Sequence, residues 1–327
     1  MKISVIVPTW KRPDYLAMTL AGLAGQTRPA DEVIVGVRRD DEETIQYLDG
    51  CGDKIPMVRR SYVAVAGVVQ SMQAAAELAT GEIICFFDDD AEPMLDVLER
   101  MEAHFIERPR LGALGGRDLL QYLSEEEQNA SLSKKVGILT WSGKTIGNHH
   151  CGKGDYRPVD VVKGCNCAFR ADVLKKVGIE QGLHGHGAQS SWEWALCLDI
   201  KAQGFEVGYD PRIQVKHYVA PRHDNDQNHR GGFSETGIYN LAYNMAFVMR
   251  TRISGLQRFG FEVRSAFWGS RIVPGFAQWL RHLIQRNPHS YKRWRAARHG
   301  RRDGKRMARV ALPKTSANLP ECSTLHN

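Results

Sequence analysis

The chain contains no uninterrupted apolar run of about 18 residues, so the sequence predicts no membrane-crossing helix. The apolar stretch in "MKISVIVPTWKRP" is too short for an export signal and reads instead as a strand ending at Pro8. Cysteine is sparse and unpaired in pattern: seven residues, odd in number and partly embedded in apolar runs, argue against a disulfide framework and predict a reducing, cytoplasmic setting. Cys165 and Cys167 have no second cysteine pair at zinc-ribbon spacing, and His184 and His186 have no nearby acid or cysteine to complete a four-ligand set. Internal repeats and low-complexity tracts are absent, as is a Gly-rich phosphate loop bearing Lys or Arg after the first strand. Acidic residues all but vanish near the end of the chain, where Arg281 to Arg309 holds eleven Lys/Arg against Asp303 alone. The total charge of +7 therefore belongs to that segment, and the rest of the molecule is slightly acidic.

What is present is enough for a full core: 327 residues, 43% of them apolar. β-Branched or apolar runs at 3–7, 31–37 and 81–87 alternate with helical spacing over 14–25 and an alanine-rich segment, 71–79. This alternation predicts an α/β fold with a mostly parallel sheet covered on both faces and ligands at the carboxyl ends of the strands. A helix is expected over 94–106 and a strand, turn and helix over 159–178. Two short strands joined at Asp210-Pro211 are expected over 204–218, while 121–157 has no readable period. Helical spacing dominates after a polar connector at 222–232. The expected division is one α/β domain over 1–220, in two halves meeting near 116, followed by a helical, basic extension over 221–327.

The third run ends in Asp88, Asp89 and Asp90. Adjacent carboxylates raise one another's pKa, and a hard divalent cation such as Mg²⁺ or Mn²⁺ is the usual way to offset that cost. A solvated or helix-capping acid cluster explains the tripeptide equally well at this stage.

Four fragments in order shift that balance. "ISVIVPTWKRPDYL", "ATGEIICFFDDDAEP", "VKGCNCAFRADVLKKVG" and "WEWALCLDIKAQGFEVGYDPRIQVKH" resemble successive segments of the family 2 glycosyltransferases, across roughly the first 220 residues. The resemblance implies a GT-A fold and an inverting, metal-dependent transfer of one sugar from a nucleoside-diphosphate sugar to a hydroxyl acceptor, in polysaccharide or glycolipid assembly. By it Asp88 and Asp90 are the outer members of an Asp-x-Asp signature, with Asp90 on the metal and Asp88 and Asp89 toward the donor. Pro8, Thr9 and Arg12 are implied donor contacts, His217 a further metal ligand, and Glu193 the base, where the family usually carries Asp. The Gly- and His-rich stretch ahead of Glu193, "GLHGHGAQSSWEW", is then expected to be a mobile acceptor loop that orders on binding. Two departures stand out: Val37 replaces the expected base-contacting Asp, leaving Arg38, Asp40 or Asp41 as substitutes, and Met72-Gln73 replaces an expected Arg-Asn pair. A sugar-nucleotide-binding module with a decayed site and a nucleotidyltransferase on a similar sheet are the alternatives.

Phe276, Trp279, Leu280, Leu283 and Ile284 recur at helical spacing directly before the cationic segment. A basic amphipathic helix of this kind lies on an anionic membrane surface or packs on the catalytic domain with a solvated arm beyond it; a nucleic-acid role would rest on charge alone. Arg293-Trp294 resembles the closing signature of processive family members, but with no membrane helices around it the expected product is a single transfer.

Overall fold

A computed structural model of the chain describes residues 1–51, 58–224, 226 and 233–311. In the first half, β1 (Ile3–Pro8), α1 (Pro13–Ala24), β2 (Glu32–Arg38), α2 (Glu42–Cys51), β3 (Val58–Val63), α3 (Val68–Leu78) and β4 (Ile83–Phe87) alternate as expected. Then come β5 (Ala91–Pro93), α4 (Val97–Glu107), β6 (Leu111–Leu120), α5 (Glu125–Ala130), the paired strands β7 (Ile138–Leu139) and β8 (Thr145–Ile146), and β9 (Arg157–Pro158). The chain continues through β10 (Asn166–Arg170), α6 (Ala171–Val177), α7 (Trp192–Ala202) and β11 (Glu206–His217). Four helices close the described chain: α8 (Glu235–Arg252), α9 (Gly255–Phe267), α10 (Phe276–Ile284) and α11 (Ser290–Ala311).

The central sheet has the order β3-β2-β1-β4-β10-β6-β11-β5, with β9 added to β11. Strands β3, β2, β1 and β4 run parallel, β10 is antiparallel to both its neighbours, and β11 returns parallel to β6. Period-two alternation explains why both faces are covered. Ile6, Ile34, Ile84 and Phe86 point into one cluster with Met72 and Ala75 of α3 and Trp192 of α7. Val5, Val7, Val35, Cys85 and Phe87 point into the other with Leu16 and Leu20 of α1 and Met101 of α4. Because α1 carries the chain from β1 to β2 while β4 adds on the opposite side of β1, the β1/β4 boundary is a topological switch point. A crevice opens there beyond the strand ends.

Three expectations change. Residues 206–217 form one strand rather than two; the ladder to β6 breaks between Tyr209 and Gln214 and then resumes, because Pro211 cannot donate to it but the flanking segments still can. The polybasic segment is neither a solvated arm nor a loose surface helix. As α11 it packs against α8 at Gly300 and Gly304, where a Cβ would stand 2.3 Å from the Tyr239 carbonyl oxygen and 2.4 Å from that of Tyr243. Tyr243, Phe247, Val248 and Ala308 belong to the same buried cluster as Phe86 and Trp192, so the chain's helical end shares the core of the sheet. Of the two alternatives for α10, packing of its apolar side on the catalytic domain is not seen: Phe276, Leu280, Leu283 and Ile284 are open to solvent, and Trp279 stacks on Trp294 of α11. The polar connector at 222–232 lies largely outside the described residues.

Candidate active site

At the crevice beyond β1 and β4 lies a cleft of about 390 Å³. Pro8, Thr9 and Arg12 from the end of β1, Asp88 and Asp90 from the end of β4, His217 from the end of β11 and Glu193 from α7 all line it. The anticipated site residues are thus brought together, with one exception. Asp89 is fully buried and turned away from the cleft: Thr9 Oγ1 donates to its Oδ2 at 2.7 Å and Arg12 Nη2 lies 2.6 Å from its Oδ1. Asp89 therefore anchors the β1 loop to the β4 loop instead of facing a donor, and Arg12 bridges it to Asp90 Oδ2, 3.6 Å away.

Asp88, Asp90 and His217 offer ligand atoms within 4.8 Å of one another. His217 Nε2 faces Asp90 Oδ1 at 3.5 Å, while its Nδ1–H donates to Asp118 Oδ2 at 3.2 Å. A carboxylate behind a histidine in this way fixes the ring and directs the other nitrogen forward, as second partners of metal-binding histidines do. Asp118 is buried on β6; burial alone would raise it, but hydrogen bonding to His217 and the charge and hydrogen bond of Lys163 hold it at about 2. Burial pushes the Asp88 carboxyl up, and the charge of Asp90 adds to the push. Two carboxylates and an imidazole make a donor set that fits a hard divalent ion, and Arg12 at 3.6 Å offsets only part of the Asp90 charge. Asp118, Cys165 and His217 also converge, but burial keeps the Cys165 thiol protonated, so the carboxylate pair is the better match.

Glu193 sits in the first turn of α7. Trp192, buried edge-on against Phe86 with ring centres 6.0 Å apart, fixes the start of that helix and leaves the next residue facing the cleft. Gly164 allows the close approach: a Cβ there would meet Trp192 Cζ2 at 2.5 Å and Glu193 Oε1 at 3.1 Å. Burial raises the Glu193 carboxyl to about 7, with the charge of Asp88 contributing, which poises it to take up a proton near neutral pH.

Sequence reasoning missed Asp118 and Lys163. Only the position of Lys163 in "VKGCN" hinted at a role; nothing local marked Asp118 as a partner of His217. Trp10 was missed too: it lines the cleft with the Arg38 guanidinium 3.5 Å above its ring centre. Of the three substitutes for Val37, Arg38 alone reaches the cleft, since Asp40 pairs with Arg38 and Asp41 is buried against Thr44 and the Lys11 amide. Met72 faces the core and Gln73 bonds Glu77, so neither replaces a basic donor contact. In the stretch expected to move, His184 stacks on Tyr243 and Gln189 accepts from the Val69 amide at 3.0 Å; His186 lines the cleft.

A second cavity, about 650 Å³, opens on the far side of Glu193. It is walled by α8, α9, the 268–273 turn and α11, and it meets the first at Lys163, Ser190 and Glu193.

A family profile described as "Glycosyltransferase like family 2" matches residues 1–230. A glucosyl-dolichyl phosphate glucuronosyltransferase of Haloferax volcanii is 26% identical over 224 residues, covering 66% of this chain and 69% of its own. Among solved structures, TarS of S. aureus in complex with UDP-GlcNAc superposes with a TM-score of 0.57 at 16% identity, over 95% of this chain and 92% of the other. The mannosyltransferase PcManGT of Pyrobaculum calidifontis, with GDP-Man and Mn²⁺, gives 0.58 at 15% identity, over 94% and 86%. These likenesses confirm the fold as GT-A.

Proposed function

The chain belongs to glycosyltransferase family 2, and from that premise we propose that it transfers one sugar, with inversion, from a nucleoside-diphosphate sugar to an acceptor hydroxyl at the junction of its two cavities. The observation that carries this reading is the position of Glu193, which lines both the cleft holding Asp88, Asp90 and His217 and the cavity beyond it. The donor's diphosphate lies in the cleft near Thr9, Arg12, Asp88 and Asp90. Mg²⁺ or Mn²⁺ held by Asp88, Asp90 and His217 would offset the charge of the departing diphosphate; the solved relative with GDP-Man and Mn²⁺ supports that choice. Trp10 and Arg38 form a stacked platform suited to a nucleobase.

The acceptor enters from the second cavity. Glu193 accepts the hydroxyl proton as the acceptor oxygen bonds to the anomeric carbon, the bond from that carbon to the diphosphate oxygen breaks, and the nucleoside diphosphate leaves. Attack opposite the leaving group inverts the anomeric centre. The chemistry of the Haloferax relative, named for a glucosyl-dolichyl phosphate acceptor, favours glycolipid assembly over a soluble product. Among the described residues no helix is long and apolar enough to cross a membrane.

The test is release of nucleoside diphosphate from a panel of UDP- and GDP-sugars with Mn²⁺, with the anomeric configuration of the product read by NMR. Metal-dependent release lost in Glu193→Gln supports the assignment. Release undiminished in that variant sinks it, and pyrophosphate in place of nucleoside diphosphate would identify a nucleotidyltransferase.

A further inference from the structure

The second cavity carries a feature that sugar recognition alone does not require. Arg301 of α11 lines it while buried to 8% exposure, and its Nη2 donates to the Pro274 carbonyl oxygen at 2.9 Å. Among the described residues it has no carboxylate partner, and burial alone, with no neighbouring charge to offset it, draws its pKa down to about 10. Arg264 of α9 lines the same cavity, likewise without a carboxylate partner, and its Nε is buried with no acceptor. A buried guanidinium without an anion is costly, so Arg301, joined in the same cavity by the partly exposed Arg264 whose Nε lacks an acceptor, marks a place where an anion is to be supplied from outside.

Leu241, Met245, Phe261, Val273 and Trp268 form the apolar part of the wall, beside polar groups that include Lys144, Thr145, His149, Ser265 and Ser270. Trp268 is also half exposed, and beside it Phe267, Ile272 and Phe276 continue an open apolar surface. The cavity therefore offers a carboxylate at one end, two unpaired arginines in its wall and an apolar exit.

Resting on the transferase reading above, we propose that the acceptor is a phosphate-bearing amphiphile: its sugar hydroxyl meets Glu193, its phosphate is held by Arg301 and Arg264, and its hydrocarbon chain leaves past Trp268. Arg guanidinium forks suit phosphate oxygens bidentately, and the low polarity around them strengthens the pair. Lys163 and Ser190 sit where this cavity opens on the donor cleft, so the phosphate and the transferred sugar are read in separate compartments.

The experiment titrates the full chain with three probes, dodecyl phosphate, dodecyl β-glucoside and inorganic phosphate, following tryptophan fluorescence because Trp194 and Trp268 both line the cavity. Dodecyl phosphate should bind at least tenfold more tightly than either of the others, and Arg301→Gln and Arg264→Gln should each remove most of that advantage while leaving the glucoside affinity unchanged. Mn²⁺-dependent binding of UDP or GDP, measured on the same samples, checks that each variant is folded. It also separates the two ideas, because its loss in the unaltered chain would count against the transferase reading and not against the anion site. If inorganic phosphate binds as well as dodecyl phosphate, the site recognises a free anion and the amphiphile is overturned. Equal binding of phosphate and glucoside amphiphiles, or no effect of either substitution in a folded variant, overturns the proposal as a whole.

Discussion

Replacing Glu193 by Gln keeps the side chain's shape and removes its capacity to take a proton. A positioned base contributes about 10²- to 10⁴-fold to a proton-transfer step, so kcat should fall by that factor while the affinity for nucleoside diphosphate, held by the other end of the cleft, changes little. The pH dependence gives the sharper signature. With its pKa raised to about 7 by burial and the charge of Asp88, Glu193 is largely protonated in acid and ionised above neutrality. Activity should therefore rise with pH and level off above about 8, and below the pKa it should drop by about tenfold for each pH unit. The cause of the shift makes a further demand: a cation bound beside Asp88 cancels that residue's contribution, so saturating Mn²⁺ should move the acid limb to lower pH. The assay is kcat/KM from pH 5 to 9 at limiting and saturating Mn²⁺, for the unaltered chain, Glu193→Asp and Glu193→Gln. Glu193→Asp retains the limb at reduced rate, because the carboxylate stands one methylene short. An acid limb that persists in Glu193→Gln, or a loss of less than about tenfold in that variant, would refute the assignment of the base.

Three other outcomes follow from the packing and the charge network. Asp118→Asn keeps a hydrogen-bond acceptor for His217 but removes the charge behind it, and should raise the Mn²⁺ concentration for half-maximal activity by about 10- to 100-fold, measured by metal titration of the chelated enzyme. His217→Ala should weaken Mn²⁺ at least as much, since it removes a ligand and not its support; an unchanged Mn²⁺ titration would take the imidazole out of the site. Gly300→Ala places a Cβ 2.3 Å from the Tyr239 carbonyl oxygen and 2.9 Å from Ala242 Cβ, so α8 and α11 must separate. About 1–3 kcal/mol of stability should be lost, visible as a melting temperature lower by several degrees.

The parts of this structure that could be read from sequence are those governed by local pattern. Strands β1, β2 and β4 announced themselves as β-branched or apolar runs because both sheet faces are buried, and the observed ends differ from the expected ones by one or two residues. Asp88 and Asp90 were visible because charges directly after a fully buried strand tend to stand at its mouth, although nothing in the run showed that Asp89 between them turns inward. What was hidden depends on contacts distant in sequence. Asp118 meets His217 across 99 residues, and Arg301 is one of eleven cations whose common charge masks the fact that it is buried with no carboxylate partner among the described residues. The cationic segment was misread for the same reason: composition shows charge, whereas Gly300 and Gly304, which let α11 settle onto α8, carry no charge at all. β11 was divided at Pro211 because a proline normally ends a ladder, and its continuation rests on β6, whose register only the fold supplies.

The most direct test of the donor site is calorimetric titration of UDP and GDP into the full chain with and without Mn²⁺, repeated on Asp90→Asn. The substitution preserves an oxygen to accept the Ala220 amide, now 2.7 Å from Asp90 Oδ2, so it removes charge without removing that tether. Tight, Mn²⁺-dependent binding of one nucleotide that falls by an order of magnitude or more in Asp90→Asn is the expected result. Binding that is indifferent to Mn²⁺ and to Asp90→Asn would contradict the account.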